Sequence, residues 1–128
     1  MFLADLDRSG QWLSLHYSGQ VDAIQMEACL ERVRKLLEEV KPDFRLFTDL
    51  SGLELMEAAC APIIGAIMDH LVEKQVASVV RVIPDPQKDI GFSLLSHFHY
   101  GREVRTMTFE TLADAIQFLA GNPPTSSQ

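Results

Sequence analysis

Among the residues able to do chemistry, Cys60 has the most reactive setting in the sequence. A thiol at the start of a helix can have its pKa lowered by the free backbone N–H groups there. A nucleophile also needs a base, and nothing in the spacing brings His70, His97 or His99 beside it. His97-Phe98-His99 sets two imidazoles two residues apart, which suits a shared metal from an extended segment but not from one helix face. No carboxylate or cysteine cluster completes that pair, and no metal site is expected. Glycine patterns of a P-loop or dinucleotide site are absent, and phosphoryl transfer, acyl transfer and metal hydrolysis lack a recognisable constellation. The sequence therefore assigns no catalytic residue, no cofactor and no enzymatic activity.

The element that must position Cys60 is the stretch Leu46 to Ile67, LFTDLSGLELMEAACAPIIGAI. It opens as an apolar run, passes through Asp49, Ser51 and Gly52, and then turns to helical spacing, which marks a strand, a loop and a helix. In an α/β domain the ground beyond a strand's carboxyl end is where ligands and partners dock. The strand is expected over Phe44 to Leu50. Pro62 is tolerated only in a first helical turn, which places the next helix from about Ala61 to Lys74, with Ile63, Ile64, Ile67, Met68 and Leu71 inward.

Upstream, Phe2 to Asp7 and Trp12 to Tyr17 alternate around the turn residues Arg8, Ser9, Gly10 and Gln11, as an antiparallel hairpin does. His16 falls on the exposed parity of the second strand. Ser18, Gly19 and Gln20 read as a break. Asp22 with Gln25 three residues on resembles a capping box, opening a helix from Ala23 to Val40 with Ile24, Leu30, Val33, Leu36, Leu37 and Val40 as its apolar stripe.

Downstream, Ala77 to Ile83 has the β-branched run of a buried strand. Pro84, Asp85 and Pro86 start a helix ending near Tyr100 and Gly101, with Ile90, Leu94, Leu95 and Phe98 on its apolar face. Val104 to Phe109 alternates as a last strand, and Thr111 caps a helix bearing Leu112, Ala115, Ile116 and Leu119. The order is ββαβαβαβα: one α/β domain over residues 1–121, a mixed sheet of about five strands and about four helices, with 122–128 as a disordered tail.

Composition narrows the partners. The 128 residues carry a net charge of −7, with 47% hydrophobic and 23% charged residues. An acidic globular chain repels phosphate backbones and anionic lipid headgroups, so neither nucleic acid nor a membrane is expected as a partner. Arg32, Arg34 and Lys35 interleave with Glu27, Glu31, Glu38 and Glu39 as a solvated helix face. Cys29 and Cys60 fall in no ligand spacing and read as free thiols of a reducing cytoplasm. No stretch approaches the roughly 18 apolar residues of a membrane span.

Two motifs resemble the STAS domain of bacterial anti-sigma-factor antagonists. Ser18-Gly19-Gln20-Val21-Asp22 is similar to that family's glycine, any residue, aliphatic, aspartate signature, and Asp49-Leu50-Ser51 to Met56-Glu57-Ala58-Ala59-Cys60 to its aspartate-leucine-serine strand end and aspartate-serine-serine-glycine loop. The resemblance covers about Trp12 to Leu119. The closing pattern also looks like STAS-like proteins that share features with lipid-binding CRAL-TRIO domains. It implies a STAS-like fold and a loop whose first serine takes a phosphate from a partner kinase. Here Ala58 stands at that serine, Ala59 at the second serine, Cys60 at the glycine and Glu57 at the acid, which removes the acceptor hydroxyl.

The expected function is a non-enzymatic regulatory or scaffolding module that binds a protein partner, or itself as a homodimer, through Ser51, Glu57, Ala58, Ala59, Cys60 and Pro62. The alternative is a small apolar ligand or lipid held between sheet and helices, in a cavity lined by Met56, Met68, Phe92, Phe98 and Tyr100.

Overall fold

The computed structural model describes residues 1–84, 99–100 and 104–121. It forms one five-stranded mixed sheet in the order β1-β2-β3-β4-β5, with β1 (Phe2–Leu6), β2 (Trp12–Val21), β3 (Arg45–Met56), β4 (Ser78–Val82) and β5 (Arg105–Phe109). The first pair is antiparallel and every later pair parallel. Three helices accompany the sheet among the described residues: α1 (Ala23–Leu36), α2 (Ala61–Glu73) and α3 (Leu112–Leu119). The helix expected over 86–100 falls almost wholly outside the described residues, so four were expected and three are described.

The opening hairpin follows the alternation of its residues. Phe2, Ala4 and Leu6 lie opposite Tyr17, Leu15 and Leu13, which turns both apolar sets to one face. The Asp7 carboxylate closes the turn by accepting from Ser9 Oγ and from the N–H groups of Gln11 and Trp12. Gly10 takes φ +74° with the Glu39 carbonyl 3.0 Å from where a Cβ would stand, so glycine is needed there for both conformation and space.

Successive right-handed crossovers from β2 to β3 to β4 put α1 and α2 on the same face. There Leu13, Leu15, Tyr17, Leu46, Leu50 and Val79 of the sheet meet Met26, Cys29, Val33, Ile64, Ile67 and Leu71 of the two helices. Among the described residues, α3 covers the opposite face over β4 and β5, where Val80, Val82 and Ala115 are buried with Phe47, Met107, Phe109 and Phe118 against them. Over β2 and β3 that face shows Arg45 stacked 5.3 Å over the Trp12 ring, and His16 edge-on to Phe47 and 3.2 Å from Asp49 Oδ2.

Several boundaries differ from the expectation. Ser18, Gly19 and Gln20 do not break the second strand: β2 runs through them to Val21, paired with β3 across two register shifts. The third strand is likewise longer than Phe44 to Leu50 and ends at Met56, so Ser51 lies in a strand. Polar and glycine residues mark a break only when no neighbouring strand takes up their hydrogen bonds, and here β2 and β3 do so for each other. Helix α1 stops at Leu36, and Leu37 already caps it. Ile24 leaves the expected stripe and is 81% exposed, while Met26 and Cys29 carry the buried face. In α3, Leu112 and Ile116 are exposed and Ala115 is the buried residue.

Candidate functional site

The ends of β2 and β3 extend past the last paired residue of β4, which pairs Val82 with Asp49. This two-stranded ribbon, a short 3-10 turn at Ala58–Cys60 and the first turns of α1 and α2 make one end of the molecule. Ser51, Glu57, Ala58, Ala59, Cys60 and Pro62, the residues singled out in the sequence, all belong to it, and all but Cys60 are exposed.

Hydrogen bonds tie this end together. Asp22 caps α1 as expected, its Oδ1 accepting from Gln25 N at 2.8 Å. The reciprocal half of a capping box is missing, because Gln25 Nε2 donates instead to Gln20 O at 3.4 Å. Glu57 Oε1 accepts from Ala23 N at 3.2 Å, placing a second carboxylate at the α1 N-terminus, where backbone N–H groups are unpaired within the helix. Glu57 N in turn donates to Val21 O at 3.0 Å. The acid at position 57 is thus a clasp between the turn and α1, a role no local sequence signal carries because Ala23 is 34 residues away.

Cys60 is fully buried beneath this turn, its thiol donating to Val21 O at 3.7 Å. Burial and the charges of Glu57 and Asp22 push its pKa up. The helix-start setting that would activate a thiol is present, but desolvation and two nearby carboxylates act against the thiolate. Cys29 is buried as well, 3.5 Å from Tyr17 Oη, and burial raises its pKa too. Neither cysteine has the environment of a nucleophile.

The histidines are distributed rather than clustered. His70 lies 3.8 Å from Glu73 on the same helix, and His16 pairs with Asp49. His99 Nδ1 is 2.6 Å from Asp69 Oδ1, and its ring lies on Gly65, where a Cβ would come within 2.7 Å of Nε2. His97, which sequence spacing grouped with it, lies outside the described residues. No group of three or more His, Cys, Asp or Glu among the described residues is arranged to hold a metal.

Asp49 is held below its ordinary pKa. Burial works against this, but hydrogen bonds from the Ser51 hydroxyl, the Ser51 N–H and His16 together favour the carboxylate. Of the candidate pocket residues, Met68 and Tyr100 line a cavity of about 30 Å³ between the sheet and α2, together with Tyr17, Thr48 and Arg81. That volume holds roughly one water molecule. Met56 is buried in the core away from its walls, and Phe92 and Phe98 lie outside the described residues. No helix among the described residues is long and apolar enough to cross a membrane.

The described residues adopt a SpoIIAA-like α/β fold. Solved structures of anti-sigma-factor antagonists share it. The unphosphorylated anti-sigma-factor antagonist SpoIIAA is 15% identical, with 94% of this chain and 99% of that chain covered at a TM-score of 0.63. An anti-sigma-factor antagonist from Mycobacterium paratuberculosis is 18% identical over 94% and 95% of the two chains, at 0.60. An uncharacterised DUF3478-family protein with a SpoIIAA-like fold from Shewanella loihica PV-4 is 16% identical over 92% and 93%, at 0.66. No protein-family model matches the sequence, and no curated protein matches it.

Proposed function

We propose that this chain is a non-enzymatic regulatory or scaffolding module that works by binding a protein through the joined ends of β2 and β3, the Ala58–Cys60 turn and the start of α2. The observation that carries this reading is the arrangement of that end. A buried layer of Val21, Leu53, Met56 and Cys60 fixes the backbone, and above it Ile24, Leu55, Ala58, Ala59 and Pro62 are left exposed. Rigid apolar surface that a domain leaves uncovered while burying its neighbours is characteristic of an interaction site.

The solved relatives support the same reading, since two are described as anti-sigma-factor antagonists, a regulatory role. SpoIIAA is also known in a phosphorylated form. In this chain the turn offers Ala58 and Ala59, which have no oxygen to accept a phosphoryl group, so binding here is governed by partner availability rather than by phosphate on the turn.

The test is binding to the partner recovered from the native host by crosslinking. Ile24→Asp and Pro62→Glu each weaken it, whereas Leu3→Asp, at an exposed apolar residue on β1, leaves it unchanged. Equal binding by all of these variants would refute the site.

A further inference from the structure

Among the described residues, the charges on this end differ in kind from those elsewhere in the molecule. The two stretches that build it, 18–27 and 50–63, contain no Lys or Arg, and they supply the acids Asp22, Glu27, Glu54 and Glu57. Glu27, Glu54 and Glu57 are exposed. The exposed apolar residues among them are Ile24, Leu55, Ala58, Ala59 and Pro62. Leu55 lies opposite Gln20, Gln20 O accepts from Gln25 next to Ile24, and Glu57 joins Ala23 to the turn that leads to Pro62. Ile24 is 81% and Leu55 58% exposed, large values for side chains on a rigid frame.

We infer that this end is built to receive a cationic, amphipathic protein segment, with Ile24 and Pro62 meeting its apolar stripe and Glu27, Glu54 and Glu57 meeting its Lys or Arg flanks. The inference rests on the reading that this end binds protein, and adds the chemistry of the partner. Charge complementarity selects the occupant. A second copy would bring the same acids against these acids across a symmetric contact, and like charges at an interface oppose association. An amphipathic helix with basic flanks satisfies both the apolar centre and the acidic rim in the way helix-in-groove partners do. An apolar centre with a charged rim also divides the work: the centre sets the dissociation rate, and the rim sets the association rate and its dependence on salt.

The experiment uses the full ¹⁵N-labelled chain and three short helical peptides as probes: one of Leu and Lys, one of Gln and Lys, and one of Leu and Glu. The Leu/Lys peptide is expected to shift backbone amides within 20–27 and 53–63. Its affinity is expected to fall about tenfold in Ile24→Asp, a loss typical of an anchor residue. It is also expected to fall about tenfold in roughly 0.5 M salt, where exposed charges are screened over a few ångströms. The Gln/Lys and Leu/Glu peptides should bind far more weakly.

If the Leu/Glu peptide shifts the same amides equally, the site stands and its cationic preference is wrong. Shifts confined to the Trp12, Phe47 and Asp49 face would overturn both the inference and the proposed site, as would no shifts with any probe. Sedimentation showing a dimer that Ile24→Asp dissolves would overturn the inference in favour of a second copy as occupant.

Discussion

The two ends of the sheet use similar side chains in opposite ways. At the amino ends of the parallel strands, where α1 and α2 finish, charges of both signs interleave: Arg34 pairs with Glu31 at 3.0 Å, and Arg8, Lys35, Lys41, Arg45 and Lys74 stand among Asp7, Glu38, Asp43 and Glu73. The large apolar residue there, Phe44, is fully buried. Among the described residues at the carboxyl ends the exposed charges are acidic, and Ile24 and Leu55 are exposed. One end is neutralised and sealed, as a solvated surface is. The other, over the described residues, is acidic and leaves apolar side chains exposed, the pattern the proposed docking reading calls for. Composition alone cannot separate the two; the distribution does.

Stability measurements should split along the same line. Phe44→Ala empties a fully buried site at the sealed end and should cost about 3–5 kcal/mol in urea denaturation. Ile24→Asp or Ala58→Ser at the open end should change stability by no more than about 0.5 kcal/mol. A comparable loss at both ends would mean that the open end is core, and the contrast would fail.

Between the ends, Gly65 lets the His99 ring reach α2 and meet Asp69. Gly65→Ala is expected to destabilise by about 1–3 kcal/mol, because the new methyl overlaps a ring held in place by a carboxylate. In a His99→Ala background the same change should be neutral or stabilising, since alanine is the better helix former. Equal effects in both backgrounds would show that the ring does not depend on this glycine.

The polar groups at the open end are partly structural, and Asp22→Ala should cost about 1 kcal/mol through the lost cap. A smaller effect comes from Asp49. Its folded pKa lies below the unfolded value of about 3.9, so the stabilisation is present above that pH and is lost as pH falls through the lower folded value. Acid titrations of wild type and Asp49→Asn should therefore converge at low pH and differ above about pH 4. For Cys60, burial with a raised pKa predicts slow labelling by a thiol reagent in the native state and fast labelling in urea; fast native labelling would return Cys60 to the reactive class.

What the sequence revealed was local. Asp22 and Thr111 as caps, Pro62 in a first helical turn and the parity of the hairpin were all readable, because each depends on residues within a few positions. The ends of β2 and β3 were not. Ser18-Gly19-Gln20 and Gly52 look like loop chemistry until each strand pairs with the other, and Ser51 sits at a register shift where its N–H donates to Asp49 Oδ1. The clasp of Glu57 on Ala23 and the bond from Cys60 to Val21 join residues 34 and 39 positions apart, and no pattern in one sequence announces them. Ile24 was misplaced because helical spacing fixes which residues share a face, but not whether a first-turn residue lies inside or outside the packed region.

The most direct test of partner docking at the open end is a matched pair of variants in the native host, Ile24→Asp and Leu3→Asp, each crosslinked in cells and quantified against wild type. The account predicts that a discrete partner is recovered with wild type and Leu3→Asp and lost with Ile24→Asp while the fold is retained. Recovery of the same partner at the same level with Ile24→Asp would contradict it.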